Sequence, residues 1–353
     1  MVYKHNYSSK LKQPLKVALA GLTHDHVQGA LDRLAEADVL VVGIAEENQE
    51  LVNRYRRLYQ LPEALFYKSL PALLEYEKPD AVLAYNAISE HIEVVEACAP
   101  LGVHVMVEKP LATTLKDAER MAALARRHQV HLLTNYETTW YPSNQQLYIM
   151  AAHQIAVGEI RKMAVHDGNI GPRELGCSKE FLDWLTDPVR NGGGAIMDFG
   201  CYGANLMTWL MQGKEPIAVT AVTRQLKPAI YPRVDDDAVI VLEYPQATGI
   251  IEASWNWPFN IKDLEIFGQT GYLQAVNGNT LRTTKEAGGA FHLYHVEPLA
   301  TPYQDPISYL AAVVKGDIEP TQDLSSLENN LTVVKILDAA RQSARSGKRV
   351  ALT

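Results

Sequence analysis

Apolar and polar positions alternate along the first third of the chain in blocks that predict a doubly wound α/β domain. Runs with the length and composition of buried parallel strands lie at 15–20, 39–45, 81–85, 103–107 and 131–134. Apolar residues at helical spacing between these runs predict helices over 29–37, 54–59, 70–76, 91–100 and 115–128. Thr113 or Thr114 can cap the last of these helices. Strands and helices in this alternation form a parallel sheet covered on both faces.

The second half of the chain has a different pattern. Strand-like runs follow one another with few helices between them, at 160–169, 218–226, 238–244, 248–257, 262–268 and 271–276. A long helix is predicted over 325–347, since Leu327, Leu331, Val334 and Leu337 lie on one face. We therefore predict three parts, namely a nucleotide-binding domain over 1–135, a second α/β domain with a large, mostly antiparallel sheet over 136–325, and a C-terminal helix and tail over 326–353.

The composition supports two domains and limits the classes of molecule that the protein can bind. The chain has 353 residues, 47% of them hydrophobic and 21% charged, and a formal net charge of -8, which argues against nucleic acid or an anionic membrane as a partner. Its three cysteines have no metal-ligand spacing and favour a reducing compartment. The first fifteen residues lack the apolar core of a secretion signal, and no apolar run is long enough to span a bilayer. We expect a soluble, cytoplasmic protein.

Two charges and a proline follow the fourth predicted strand. Glu108, Lys109 and Pro110 stand at its carboxyl end, the edge at which open α/β sheets bind ligands. Pro110 restricts the backbone of Lys109 and would aim its ammonium group in a set direction. The alternative is a surface ion pair that ends a strand.

A dinucleotide-binding unit is indicated by the order strand, glycine turn, helix, strand and acid. Gly21 follows the first strand, and Glu46 closes the second. A carboxylate at this place can accept hydrogen bonds from ribose hydroxyls and repels a 2′-phosphate, so NAD is favoured over NADP. The alternative is that Glu46 and its neighbour Glu47 belong to a solvated turn.

The glycine turn departs from the usual fingerprint. Thr23 and His26 stand where the second and third glycines belong. Thr23, His24 or His26 can hydrogen-bond a phosphate instead. The two histidines and Asp25 also suggest a metal site, but no further ligand cluster accompanies them and we expect no metal.

A second polar constellation lies between Arg190 and Asn205. Three glycines, 192–194, allow a backbone path that side chains would block, and a helix is predicted to begin near Asp198. Asp198, Tyr202 and Asn205 would then share one face of that helix. A polar stripe at this place favours a site, although an aspartate at a helix start is often only a cap.

These pieces together resemble the Gfo/Idh/MocA oxidoreductase family over essentially the whole chain. The resemblance rests mainly on Glu108-Lys109-Pro110, on the segment from Gly192 to Asp198, and on 343–347 near the end. It implies a Rossmann domain, a second domain whose open sheet makes dimer or tetramer contacts, and a last helix that packs back near the first domain. It also implies hydride transfer between a nicotinamide cofactor and a sugar, cyclitol or related polyol.

The resemblance assigns the family's catalytic lysine to Lys109 and its active-site aspartate to Asp198. Most members of the family have a histidine at the position of Tyr202. A tyrosine there resembles one branch of the family, whose members also have tyrosine at this position. Asn86 begins a turn that departs from the family's pattern, as does the glycine turn. We expect cofactor contacts from Gly21, Thr23, His24, His26, Glu46, Asn86, His91, Glu108 and Lys109.

We hypothesise that Lys109 and Tyr202 converge on the reacting hydroxyl. The simplest assignment makes the Lys109 ammonium an electrostatic orienter and Tyr202 the proton acceptor, and the competing one makes Lys109 the acid and base itself. We expect the substrate to contact Lys109, Asp198, Tyr202, Asn205, Arg190 and Tyr136. Further candidates for the pocket lining, chosen only by their position in the sequence, are Trp140, His166, Asn169, Trp255 and Trp257. Two other functions stay open, an NAD-dependent glycoside hydrolase with transient oxidation and a non-catalytic NAD-binding sensor.

Overall fold

The computed structural model describes residues 14–34, 39–152, 156–285 and 289–352. The N-terminal stretch that bears on a secretion signal lies almost entirely outside these residues. Within the described part of the chain, no helix combines the length and apolar character that a membrane span requires.

Six parallel strands form the first sheet, in the order β3-β2-β1-β4-β5-β6. This is the usual strand order of a Rossmann domain. The strands are β1 (Leu15–Ala20), β2 (Val39–Ala45), β3 (Phe66–Tyr67), β4 (Ala81–Ala84), β5 (His104–Glu108) and β6 (Leu132–Asn135). The helices between them are α1 (Val27–Leu34), α2 (Gln49–Tyr59), α3 (Leu70–Glu77), α4 (His91–Cys98) and α5 (Leu115–His128).

Local capping explains why these helices begin where they do. Asn48 accepts hydrogen bonds from the first turn of α2, which therefore begins five residues before the predicted start. Thr114 caps α5 through the amide of Asp117, and a basic cluster ends that helix, so both ends complement the helix dipole. The predicted strands of this half agree with the observed ones to within one residue or so at each end.

Nine strands form the second sheet, in the order β14-β13-β12-β11-β7-β10-β9-β8-β15. Within this second sheet, β7 and β10 are the only neighbouring strands that run parallel in the described part of the chain. The expectation of a large, mostly antiparallel sheet is therefore confirmed. The strands are β7 (Ile160–Gly168), β8 (Ala218–Arg224), β9 (Asp237–Glu243), β10 (Thr248–Ser254), β11 (Ile261–Gly268), β12 (Tyr272–Asn277), β13 (Thr280–Thr284), β14 (His292–His295) and β15 (Val350–Ala351).

The helices of the second half are α6 (Pro142–Ala152), α7 (Lys179–Leu185), α8 (Ala195–Asp198), α9 (Gly200–Leu210), α10 (Pro306–Val314) and α11 (Leu327–Ser346). All of them except α10 contribute to the core on one face of the second sheet. One large core joins α6 to α9 and α11 to the inward residues of the sheet, such as Val165 and Ile251. The long helix α11 also contacts α5, and β15 then joins the edge of the second sheet. The last helix therefore connects the two halves.

Two features differ from the sequence-based expectations. Asp198 ends the short helix α8 instead of starting a helix, because the chain turns at Phe199 before α9 begins at Gly200. Helix α10 falls inside the segment 136–325, yet Ile307 and Leu310 pack in one core with Val17 and Leu19 of the first sheet. The polypeptide thus returns to the first domain before α11.

Candidate active site

Lys109 stands directly after β5, at the carboxyl edge of the first sheet, and its bond to Pro110 is cis. Its side chain is 6% exposed. The ammonium group forms an ion pair with the carboxylate of Asp198 and donates to the carbonyl oxygen of the same residue at 3.1 Å. Burial alone would lower the pKa of Lys109, but the charge and hydrogen bond of Asp198, together with Cys201, outweigh burial and raise the pKa. Lys109 is therefore a fixed cation at neutral pH.

Tyr202 brings a phenol from the second domain to the same place. The Lys109 ammonium nitrogen lies 5.1 Å from the centroid of the Tyr202 ring, and the edge of Tyr136 packs on that ring at 5.4 Å between centroids. Burial, followed by the nearby carboxylates of Glu137 and Asp167, raises the pKa of Tyr202 well above its usual value. The phenol therefore holds its proton in this structure. The predicted meeting of residues 109 and 202 is found.

Asp235 and Trp255 fix the position of the short helix that ends at Asp198. A Cβ at Gly194 would lie 1.7 Å from the carbonyl oxygen of Asp235, so only glycine fits where this loop crosses. The Asp235 carboxylate accepts hydrogen bonds from the amides of Gly194 and Ile196 at 2.9 and 2.8 Å and fixes the start of α8. At the other end of the helix, the indole of Trp255 donates to Asp198 at 3.0 Å. These contacts aim the carboxylate at Lys109.

A cleft of about 470 Å³ opens beside this group. It lies between the carboxyl edge of the first sheet and the second domain, and apolar side chains such as Phe181 and Phe199 form part of its wall. Its polar lining consists of His26, Lys109, Glu137, Tyr141, Asn169, Asp198, Tyr202, Asn260, Lys262 and Asn277. A concave site with several convergent amides and charges suits a small molecule that carries many oxygens.

A wider groove over α2, lined by Arg54 and Arg57, is a feature of the open surface and contains none of the candidate catalytic residues.

The glycine turn after β1 has the form of a nucleotide cradle. Gly21 has a φ of +82°, and a Cβ added there would lie 2.9 Å from Cβ of Asn86, so a side chain is excluded. Three polar atoms along this edge are buried and have no hydrogen-bond partner among the described residues, namely Oγ1 of Thr23, Oδ1 of Asn86 and Nε2 of His91. Buried polar groups normally have partners, so these atoms fit a polar ligand such as a dinucleotide.

Glu108 contacts the glycine turn and not Lys109. Its carboxylate hydrogen-bonds Nδ1 of His26 at 2.9 Å and accepts from the amide of Asn135 at 2.7 Å. Burial alone would raise the pKa of Glu108, but His26 and Asn135 outweigh it and lower the pKa. The strand end is thus connected to the turn after β1 by a charge-assisted contact.

His24 is fully buried against Trp184, and burial lowers its pKa well below the usual value, so the ring is neutral. Nδ1 of His24 accepts from the amide of His26 at 3.2 Å, just before α1 begins at Val27. Ligand atoms of His24, His26 and Glu108 lie within 4.8 Å of one another. The metal alternative would therefore have three ligands from this chain, one fewer than a structural zinc site uses.

Glu46 ends β2 with both carboxylate oxygens directed at the glycine turn and its own loop. They accept hydrogen bonds from the amides of Leu22 at 2.8 Å and Asn48 at 2.9 Å. Burial is the main reason that the pKa of Glu46 is raised. Each oxygen keeps a further lone pair for a hydroxyl donor.

Other predicted site residues lie outside the cleft. Asn205 lies in the core, where its amide donates to the carbonyl oxygen of Leu324 at 2.8 Å, because α9 is buried on all sides and begins after Asp198. The guanidinium of Arg190 donates to Glu90 at 2.7 Å. Position in the sequence did not distinguish such residues from those that line the cleft. The same is true of Tyr136, buried behind Tyr202, of Trp140, bound to Asn135, of His166, on the opposite face of the second sheet, and of Trp257, which lies beside Gly168.

Three charged residues of the cleft region were missed. Asp167 on β7 and Lys262 on β11 are register partners, and Lys262 forms an ion pair with Glu137. The alternation of inward and outward positions along β7 and β11 could have identified Asp167 and Lys262 from the sequence. Asp167 has the parity of the buried Val165, and Lys262 has the parity of the buried Leu264, so both place a charge on the inward face.

Two family models match the chain over most of its length. The model described as an oxidoreductase family with an NAD-binding Rossmann fold matches residues 15–136, and the GFO/IDH/MocA C-terminal domain matches residues 151–274. Together they cover the first sheet and much of the second domain.

Two of the curated relatives are a diol dehydrogenase and a cyclitol dehydrogenase. The chain is 27% identical over 218 residues to trans-1,2-dihydrobenzene-1,2-diol dehydrogenase of Xenopus laevis, over 61% of this chain and 60% of that protein. It is 27% identical over 267 residues to myo-inositol 2-dehydrogenase of Thermotoga maritima, over 73% of this chain and 75% of that protein. The chain thus matches about three fifths of the length of the first relative.

Solved structures share the whole fold at low identity. An aldose-aldose oxidoreductase from Caulobacter crescentus complexed with glycerol has a TM-score of 0.80 at 23% identity and covers 96% of this chain and 99% of its own. An inositol dehydrogenase homolog from Azotobacter vinelandii complexed with NAD+ has a TM-score of 0.83 at 18% identity and covers 99% of this chain and 100% of its own.

Proposed function

Because the chain belongs to the GFO/IDH/MocA oxidoreductase family, we propose that it is an NAD-dependent oxidoreductase that transfers hydride between the cofactor and a sugar, cyclitol or related polyol. One observation carries the proposal. Lys109 from the first domain and Tyr202 from the second face one cleft at the carboxyl edge of the first sheet, and Asp198 holds the lysine in place.

Gly21, Thr23, Glu46, Asn86 and His91 would hold the dinucleotide. The nicotinamide, when bound, exchanges hydride with the carbon of the substrate that carries the reacting oxygen. Support comes from the buried atoms of Thr23, Asn86 and His91 that have no hydrogen-bond partner in the described part of the chain, and from the glycine that the turn requires. We propose NAD over NADP because the Glu46 carboxylate can accept from ribose hydroxyls and would repel a 2′-phosphate.

Lys109 and Tyr202 would handle the proton on the reacting oxygen. Both groups hold their protons in this structure, so the arrangement is ready to donate a proton to a carbonyl oxygen during reduction. In the oxidative direction Tyr202 would first release its phenolic proton to water in the cleft, which a neighbouring cation such as the Lys109 ammonium favours, and would then accept the proton of the substrate hydroxyl. Asp198 opposes loss of the proton from Lys109, which supports Tyr202 as the proton acceptor and Lys109 as the electrostatic orienter.

The substrate would be a polyhydroxyl compound and not a simple alcohol. Asn169, Asn260 and Asn277 line the cleft together with Tyr141. Amides can both donate to and accept from hydroxyl groups. The chemistry of the curated relatives, on a dihydrodiol and on myo-inositol, is in the same class.

We further propose that two or more copies assemble through the outward face of the second sheet. Val222, Val239 and Phe267 are exposed on this sheet, and a sheet face with several exposed apolar side chains favours burial against another protein surface. Light scattering on the purified protein tests this, since a monomer at micromolar concentration would overturn it.

Turnover with defined probes tests the activity itself. D-glucose, myo-inositol and trans-1,2-dihydrobenzene-1,2-diol are each mixed with NAD, and NADH is followed by absorbance. Stoichiometric NADH with one of them supports the proposal. Release of product from an aryl glycoside without net NADH would indicate the glycosidase instead, and NAD binding without either reaction would indicate a sensor.

A further inference from the structure

A second lysine lines the cleft near Tyr202. Lys262 comes from β11, and its ammonium nitrogen lies 4.3 Å from the centroid of the Tyr202 ring, closer than the 5.1 Å of Lys109. Its side chain is 22% exposed and lines the cleft. Two cations from different domains therefore lie near the same phenol ring. The proposed proton transfer uses only one of them.

Asp167 lies next to Lys262 on the inward face of the second sheet. The two residues are register partners on β7 and β11, which places their Cβ atoms about 5 Å apart. Asp167 is 1% exposed, and neither carboxylate oxygen has a hydrogen-bond partner among the described residues. The ammonium of Lys262 pairs with Glu137 instead. The adjacent register pair, His166 and Asp263, is hydrogen-bonded at 2.6 Å on the opposite face, so only the inward pair is left open.

The charge of Asp167 decides how Lys262 distributes its three donors. Burial raises the pKa of Asp167 to about 8, so at neutral pH the group is mainly a carboxylic acid and competes weakly for the ammonium. One donor then goes to Glu137, and the other two, which have no hydrogen-bond partner within the described ranges, can donate to a ligand oxygen. Above that pKa an ionised Asp167 would compete with a ligand in the cleft for the Lys262 ammonium. The groups that face Asp167 from the surrounding elements are Lys262, Lys109, Asp198, Glu137, Tyr141, Cys201 and Tyr202.

We propose that Lys262 is a substrate-binding residue that donates to a second oxygen of the substrate, beside the one that reacts, and that Asp167 is the residue that positions it. The inference rests on the proposed function and narrows its substrate class. The substrate carries two neighbouring oxygens, one at Lys109 and Tyr202 and one at Lys262. A diol or a polyol meets this requirement and a mono-alcohol does not.

Steady-state kinetics of Lys262→Met tests the binding role, with whichever of D-glucose, myo-inositol and trans-1,2-dihydrobenzene-1,2-diol the unmodified protein oxidises fastest. Loss of a charge-assisted hydrogen bond that substrate and transition state share raises KM roughly 10- to 100-fold and leaves kcat nearly unchanged. The control is Lys179→Met, which removes an 82% exposed lysine from an Asp183 ion pair and should leave KM unchanged. An unchanged KM in Lys262→Met overturns the inference while the proposed function stands. Absence of NADH with every probe overturns the proposed function itself.

The pH dependence of KM tests the part played by Asp167. In the unmodified protein KM rises as the pH passes about 8, whereas in Asp167→Asn it stays level, because the amide cannot ionise. A merely structural role for Asp167 would lower stability without changing the shape of this profile. Superimposable profiles for the two proteins, or a rise that persists in Asp167→Asn, overturn the positioning role.

Discussion

The buried carboxyl group of Asp167 should make the stability of the protein depend on pH in a way that one substitution removes. Burial raises the pKa of Asp167 to about 8, whereas an aspartate in an unfolded chain titrates near ~3.9. Between these values the folded protein holds a proton that the unfolded chain releases. The resulting stabilisation is fully present below the unfolded pKa and is lost as the pH rises through the folded pKa. Asp167→Asn keeps the shape of the side chain and removes the titration.

The size of the change in the free energy of unfolding follows from the interval between the folded and unfolded pKa values of Asp167. Each pH unit between the two pKa values changes the free energy of unfolding by about 1.4 kcal/mol. From about pH 6 to about pH 9 the titration covers about two units below the folded pKa, so the unmodified protein should lose about 3 kcal/mol relative to Asp167→Asn. His24 and His91, whose pKa values burial lowers, titrate in both proteins and cancel in the difference.

Urea unfolding at several pH values, followed by tryptophan fluorescence, measures this difference. Asp183→Asn is the control, because Asp183 is 52% exposed and pairs with Lys179 on the surface. Its stability curve should run parallel to that of the unmodified protein. If the curve of Asp167→Asn also runs parallel to it from pH 6 to pH 9, the reasoning about a protonated buried carboxyl group is refuted.

Three further substitutions test the site. Gly21→Ala places a Cβ 2.9 Å from Asn86 in a backbone with φ +82°, so NAD affinity measured by calorimetry should fall at least about tenfold, and unchanged affinity would remove Gly21 from the cradle. Glu46→Ser removes the charge that repels a 2′-phosphate, so the ratio of kcat/KM for NADP to that for NAD should rise, and a constant ratio would argue against the ribose role. Asp198→Ala leaves the buried Lys109 ammonium unpaired and should lower the free energy of unfolding by roughly 3 to 5 kcal/mol, whereas a loss below about 1 kcal/mol would show that water compensates it.

The first domain was predictable because its signals are local. The strand at Leu15–Ala20 was predicted with its observed bounds, and Gly21 follows it as the turn requires. Each buried parallel strand is a short apolar run, and such a run identifies itself without any tertiary contact. The position of Lys109 at the carboxyl edge followed from its place directly after a predicted parallel strand.

The second domain was predictable in its strands and less so in its side chains. Asn205 was placed on the face of Asp198 because one continuous helix was assumed, and the turn at Phe199 changes that face. Whether a polar residue on a fully buried helix faces a cleft or a core partner depends on packing, which spacing does not reveal. Helix α10 returns to the first sheet through long-range contacts of Ile307 and Leu310, which no local pattern encodes.

Asp167 and Lys262 show that part of the missing information was in the sequence. Each is a charged residue at an inward position of an alternating strand, and charges are rarely buried unless they are paired. The alternation identifies both as exceptions, but not as partners, because the register between β7 and β11 joins residues that are far apart along the chain.

The most direct test of the central claim is the turnover of Lys109→Met beside that of Tyr202→Phe, with the probe that the unmodified protein oxidises fastest. The account predicts that both lose kcat by roughly 10²- to 10⁴-fold, and unequally, while circular dichroism shows an intact fold. A folded Lys109→Met protein that turns over at the unmodified rate would contradict the claim that these two groups act on one reacting oxygen.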